Sequence, residues 1–360
     1  MRESELRLRE YVGISHAPTD EASYAVNLGA FIGAKKNGDL ASLGHASRAA
    51  GECFRRLGRI AEAKEELRFA VRGFRAIGDM KGLGWSFFGY ANLLRQTSDF
   101  AASHRHLLTA LRLAQEVNDF GLICYATAGI AETTRISGTY HISCRQHWDA
   151  YRRFRSVNDL RGVVWALEGI GQILRKTHRA DTAIEYFDEA KKLATRAHDI
   201  RGLAYATKCH AECLADLGYS RWADEEVRDA IELFQGIGLL SGCGYALKAH
   251  GDIAARHCDF EYAIQSYGDA VSAFEKAHDS RGLGYTRIAM SEVLAEVGCI
   301  AEASRYLGQA IDYFAGANVA LGATQCRLQY GNLQTRHGLR GRRLNSSVFG
   351  SSQRSFLAPG

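Results

Sequence analysis

The sequence predicts an all-α solenoid of about seven complete helix–turn–helix repeats with partial units at both ends. Three observations predict it: an internal period of 40 residues, columns of small residues on that period, and a near absence of proline. The period is set by Ala30, Ala70, Ala110, Ala150, Ala190, Ala230, Ala270 and Ala310, eight alanines spaced by 40 without a slip. A second column is always small (Ser23, Ala63, Ser103, Ser143, Ala183, Ala223, Ala263, Ala303). A third is small as well (Gly51, Ala91, Ala131, Gly171, Ala211, Gly251, Ser291, Gly331). Self-similarity at such a period marks stacked supersecondary units. Small residues fall where two helices cross closely, and large apolar ones fill the flanks. Pro18 and Pro359 both lie outside the repeats, so no proline ring interrupts a helix.

Residues 44–79 show the unit. Its first helix ends near Leu57 and Gly58, where glycine supplies the turn. The second, from about Ile60, carries Ala63, Leu67, Ala70, Val71 and Phe74 at helical spacing. It stops at the column Gly38, Gly78, Asn118, Asn158, His198, Gly238, His278 and Asn318, residue types that accept the left-handed conformation closing a helix. Directly after it stands Asp39, Asp79, Asp119, Asp159, Asp199 or Asp279, an N-cap acceptor for the next helix. A half unit, Thr19 to Gly38, precedes the seven pairs, and residues 320–337 add one more first helix. The chain thus divides into an N-terminal extension (1–18), the solenoid (19–338) and a basic tail (339–360) whose Gly, Ser and Arg content predicts disorder.

The pattern Ile170-Gly171-x-x-Leu174 followed by Ala183-x-x-x-Phe187-x-x-Ala190 resembles the tetratricopeptide repeat. The usual unit has about 34 residues; this one has 40, and lacks the closing proline. It is similar to the longer repeats of kinesin light chains and of the Leu-Gly-Asn-repeat scaffolds. The resemblance implies a right-handed superhelix whose concave face is built from the first helices and binds peptides or proteins.

Charge narrows the partners. After Asp312 there is no acidic residue, while Arg327, Arg336, Arg340, Arg342, Arg343 and Arg354 account for more than the whole net charge of +5. The body is therefore close to neutral, which argues against a large nucleic-acid footprint. No apolar run is long enough for a membrane span, and MRESELRLREYVG lacks the apolar block of a secretory signal. Nine irregularly spaced cysteines read as reduced thiols of a cytoplasmic protein.

By analogy with the family's peptide-binding positions, the concave face carries three columns. One is aromatic: Trp85, Tyr125, Trp165, Tyr205, Tyr245 and Tyr285, flanked by His45 and Gln325. These rings form either a rail for an extended ligand or packing against the preceding unit's second helix. The small column Gly89, Gly129, Gly169, Cys209, Ala249 and Ala289 leaves room for both. Seven residues on, every member is a carboxylate or amide: Glu52, Asn92, Glu132, Gln172, Glu212, Asp252, Glu292 and Asn332. This polar column is expected to be exposed and to accept hydrogen bonds from a peptide. The third, Arg55, Arg95, Arg135 and Arg175, gives way to alanine at Ala215, Ala255 and Ala295. It either holds a ligand carboxylate or phosphate or pairs with Glu52, Glu132 and neighbouring acids.

Chemistry beyond binding is sparse. Cys209, His210, Glu212, Cys213 and His250 have metal-like composition, but His210 and His250 fall in the buried column, so core histidines and thiols explain them and no metal or cofactor is expected. There is no phosphate-cradling loop after a strand, no nucleophile elbow and no HExxH pair. The sequence thus points to a scaffold holding an extended peptide or partner protein. Two alternatives stay open: a regulatory sensor for a peptide or small molecule, and an enzyme using the groove as its active site.

Overall fold

The computed structural model describes residues 40–316 and 320–336. The half unit before residue 40, residues 1–18, Asp39, Asn318 and the 339–360 tail lie outside the described residues. Within them, helices follow one another with short turns: α1 (Leu40–Arg56), α2 (Ile60–Ile77), α3 (Met80–Gln96), α4 (Phe100–Glu116), α5 (Phe120–Ile136), α6 (Tyr140–Ser156), α7 (Leu160–Lys176) and α8 (Ala180–Arg196). The series continues with α9 (Ile200–Asp216), α10 (Ser220–Gly236), α11 (Leu240–Arg256), α12 (Phe260–Ala277), α13 (Ser280–Glu296), α14 (Ile300–Gly316) and α15 (Ala320–Arg336). Seven helix pairs and one extra first helix make a right-handed superhelical solenoid, and no strand occurs among the described residues.

The joints repeat every 20 residues. A left-handed residue closes each second helix at Gly78, Asn118, Asn158, His198, Gly238 and His278, and each first helix at Gly58, Ser98, Gly138, His178, Gly218, Cys258 and Gly298. The side chains of Asp79, Asp119, Asp159, Asp199 and Asp279 each accept the backbone N–H three residues on, satisfying a donor that a helix start leaves orphaned.

The small columns sit at the helix crossings. Ala70, Ala110, Ala150, Ala190, Ala230, Ala270 and Ala310 are all fully buried. Ser103 and Ser143 donate their hydroxyls to Ala91 O and Ala131 O at 2.8 Å, tying the two helices of a pair. A methyl group on Gly162 would lie 2.0 Å from the Phe154 ring, and one on Gly242 2.4 Å from Phe234, so the next unit's glycine is the seat of the preceding phenylalanine.

Ring sizes compensate along the array. His45, Tyr125, Tyr205, Tyr245 and Tyr285 face Phe74, Phe154, Phe234, Phe274 and Phe314 at 4.6–5.0 Å. Where the second helix offers alanine instead, at Ala114 and Ala194, the first helix supplies Trp85 and Trp165, which fill the space within the same clusters. Interiors packed to crystal-like density enforce such exchanges. The partner is thus the same unit's second helix, not the preceding unit's.

The superhelix returns to its own start. Gln96 Nε2 donates to Ala277 O at 2.9 Å, joining α3 to the end of α12. Phe100 packs against the apolar cluster of the last units. Gly58, at φ +75°, lies so close to Lys276 O that a Cβ would be 2.1 Å from it; only glycine serves both the turn and this approach. Closure converts an open groove into a central cavity.

Candidate functional site

The cavity has a volume of about 930 Å3 and is lined from Arg55 in α1 to Gln325 in α15. Of the columns read from sequence, Asn92, Glu132, Gln172, Glu212, Asp252, Glu292, Arg55, Arg95, Arg135, Arg175, Trp165, Tyr205, Tyr245 and Tyr285 line it, whereas Glu52, Trp85 and Tyr125 do not.

The aromatic column is a floor more than a rail. Trp85 is only 4% exposed and its Nε1 donates to Asp119 Oδ2 at 2.9 Å. Tyr205, Tyr245 and Tyr285 present one half-buried edge to the cavity while the other meets phenylalanine. The small column beside them is occupied by protein: Leu67 sits over Gly89, Leu107 over Gly129 and His147 over Gly169.

The polar column is not the freely exposed row its composition suggested. Glu132 is 8% exposed and accepts from Arg135 Nε and Nη2 at 2.9 and 2.7 Å. Arg55 makes the same two-pronged contact with Glu52 and donates to Gln96 Oε1 at 2.7 Å. Burial alone would raise both carboxyls, but the adjacent guanidiniums prevail, holding Glu132 down at about 2 and Glu52 well below the usual carboxylate range. Further along, Lys208 donates to Glu212 and Lys248 to Asp252, while Arg175 reaches across to Glu212 and Asp216 at 2.9 and 2.6 Å. Tyr267 donates its hydroxyl to Asp252 at 2.9 Å. The Arg column is therefore largely engaged in pairs within the wall. Arg95 is the exception: it reaches Asn92 at 3.2 Å and lies 3.8 Å from Glu132, which Arg135 already occupies.

Two further inward-facing columns escaped the sequence reading. One contains Glu168, Lys208, Lys248 and Ile288, its earlier members Arg48, Phe88 and Ala128 being buried away from the cavity; the other contains Arg201, Ser241 and Arg281. Their mixed residue types give no column signal, although they supply much of the wall's charge. Altogether ten basic and seven acidic side chains line the cavity.

The thiol and histidine cluster is core. Cys209 and Cys213 are buried beside Ala183 and Phe187, and burial pushes their thiols up to about 11 and about 12. His210 Nδ1 lies 2.8 Å from Glu226, and His250 Nε2 lies 2.8 Å from Asp224. Among the described residues no group of three or more His, Cys, Asp and Glu side chains could hold a metal ion, and no described helix is long and apolar enough to cross a membrane.

No protein-family model matches the chain, and no curated protein matches it by sequence. Solved structures match its shape. A Rap conjugation gene regulator of the plasmid pLS20, in complex with the Phr* peptide, aligns over 88% of this chain and 90% of its own at TM-score 0.67 and 11% identity. A Rap protein complexed with Competence and Sporulation Factor aligns over 93% and 99% at TM-score 0.60 and 13% identity. Aspartyl phosphate phosphatase F from Bacillus subtilis aligns over 87% of each chain at TM-score 0.57 and 13% identity. The fold is of the tetratricopeptide type. At such identities the likeness is one of fold, so the function of this tetratricopeptide-type solenoid has to be argued from its own cavity.

Proposed function

We propose that the chain is a binding module that holds an extended peptide, or an extended segment of a partner protein, inside its superhelix. The observation that carries this is the cavity of about 930 Å3, continuous along one first helix after another and lined by hydrogen-bonding and charged groups over an aromatic floor. An extended chain passes such a wall with its backbone accessible at every residue, and amides such as Asn92 and Gln172 pair with both its N–H and C=O groups. The likeness to a Rap regulator in complex with the Phr* peptide supports the reading.

A peptide selection from a random dodecamer library, followed by calorimetry on a selected peptide, tests it. Gln172→Trp fills the cavity and is expected to weaken binding at least about tenfold, a loss of about 1.4 kcal/mol. Glu185→Ala with Glu189→Ala, on the exposed outer face, is expected to leave it unchanged. The reverse result would put the partner on the convex side and overturn the assignment.

A sensor role is the second reading, favoured by the narrow closure at Gly58, Gln96 and Ala277. A ligand that shifted the superhelix pitch would change the scattering radius on binding.

A further inference from the structure

The cations that line the cavity are not equally paired. Most cations there have a carboxylate of their own: Arg135 has Glu132, Lys208 has Glu212, and Lys248 has Asp252. Arg201 forms no ion pair among the described residues, and it is exposed into the cavity. Arg281 gives Nε and Nη2 to the neutral Tyr245 hydroxyl at 3.1 and 2.8 Å. Arg95 has only the distant share of Glu132. These three arginines stand on α3, α9 and α13, three separate walls of the ring, and all line the same cavity. Arg95 is lowered by burial, which Glu132 opposes most strongly, and the charges of Arg55, Arg201 and Arg281 lower it further. Like charges brought together this way are costly unless something neutralises them.

A second, independent observation lies beside them. Glu168 lines the cavity and is 7% exposed, and its Oε1 has no hydrogen-bond partner among the described residues. Buried polar atoms are nearly always satisfied, so an unsatisfied one on a residue of the cavity wall marks a missing partner. Glu168 forms no ion pair with these arginines among the described residues. Burial, then Asp199 and Glu132, drive its carboxyl well above the usual range against the pull of Arg201 and Lys208. In its protonated form this carboxyl presents an O–H donor.

Building on the peptide-binding reading, we propose that the cavity has an oxyanion subsite, in which Arg95, Arg201 and Arg281 hold a carboxylate or phosphate group of the ligand and Glu168 hydrogen-bonds to it. The group would be bound from three walls at once, and arginine's planar fork suits either oxyanion. The sources separate by probe.

Calorimetry on the full chain would use inorganic phosphate, a pool of N-acetylated hexapeptides with free C-terminal carboxylates, and the same pool as amides. Phosphate binding identifies a phosphoryl source, and preference for the acid pool over the amide pool identifies a carboxylate; both support the subsite. Arg201→Gln, at an exposed position, is expected to weaken that binding about tenfold, the loss of one charge-assisted hydrogen bond. Glu168→Gln keeps a donor without a charge and is expected to bind at least as tightly. If the amide pool binds as well as the acid pool while phosphate does not bind, the peptide reading stands and the subsite falls. If phosphate binds and neither pool does, the subsite stands and the peptide reading falls. No binding by any probe, or binding indifferent to Arg201→Gln, overturns the subsite.

Discussion

The two halves of the inner wall solve the same electrostatic problem differently. In the N-terminal half, Glu52 and Glu132 are neutralised by arginines three residues later on the same helix, Arg55 and Arg135. In the C-terminal half those positions are alanine, and Glu212 and Asp252 are neutralised by lysines four residues earlier, Lys208 and Lys248. The acid column is thus the constant and its counter-charge the variable. The N-terminal pairs are two-pronged and nearly buried, whereas Asp252 and the exposed Glu292 keep contact with water. Glu132 holds the wall together, as does Glu212 between Lys208 and Arg175; Asp252 and Glu292 are closer to surface groups.

The largest expected effect tests that difference directly. Glu132→Ala leaves Arg135 and Arg95 without their shared counter-charge and should cost about 3–5 kcal/mol in urea denaturation. Glu292→Ala should cost less than about 1 kcal/mol. Equal losses at the two sites would erase the distinction between the halves.

The second expected effect is a pH dependence whose upper window is set by a histidine of the first half. His147 is fully buried against Gly169, and neither ring nitrogen has a partner among the described residues. Burial lowers it to about 4, with Glu132 pulling upward and Arg135 opposing. Because the folded pKa lies below the unfolded value of about 6.5, the unfolded chain takes up the proton first. Stability should therefore fall as pH drops from about 6.5 to about 4, by roughly 3 kcal/mol in all. Glu132, held at about 2, contributes in a lower window: its stabilisation is present above about 4.5 and is lost toward pH 2. His147→Leu should flatten the upper window and leave the lower one. A variant with the wild-type slope between pH 6.5 and 4 would show that another group titrates there.

What the sequence made legible follows from what a column can encode. The alanine and glycine columns, the Asp caps and the left-handed stops are demands that every unit makes equally, so they repeat and can be read. The exchange of Trp85 for tyrosine opposite Ala114 is legible only once the partner helix is known. Counter-ions are a demand of one place, met from Arg135 in one unit and Lys208 in another, so Glu168, Lys208, Lys248, Arg201 and Arg281 left no column to find. Closure at Gly58 and Gln96 was out of reach for a different reason. It depends on the pitch summed over every unit between α2 and α12, and a small change per unit would move Lys276 away.

The smallest expected effect concerns the surplus charge where the halves face each other. Arg201 makes no ion pair among the described residues, so Arg201→Gln forfeits only a loose contact over the Tyr205 ring, and stability should change by less than about 0.5 kcal/mol. Its sign is informative. Arg201 opposes the charge of Arg95 across the cavity, while Glu52, which it attracts, is already held by Arg55, so its removal should relieve more repulsion than it forfeits attraction and leave the variant the more stable of the two proteins. The charges of Arg55 and Arg281 remain, which keeps the gain small. Added salt should shrink the difference, because ions entering the cavity screen what the substitution removes. Arg135→Gln on α5 offers the contrast: it strips a buried carboxylate of its two-pronged partner, and it should destabilise at every salt concentration. If Arg201→Gln were instead to cost more than about 1 kcal/mol, Arg201 would belong to the wall like Arg135, and the cavity would hold no surplus cation for an anionic ligand to meet.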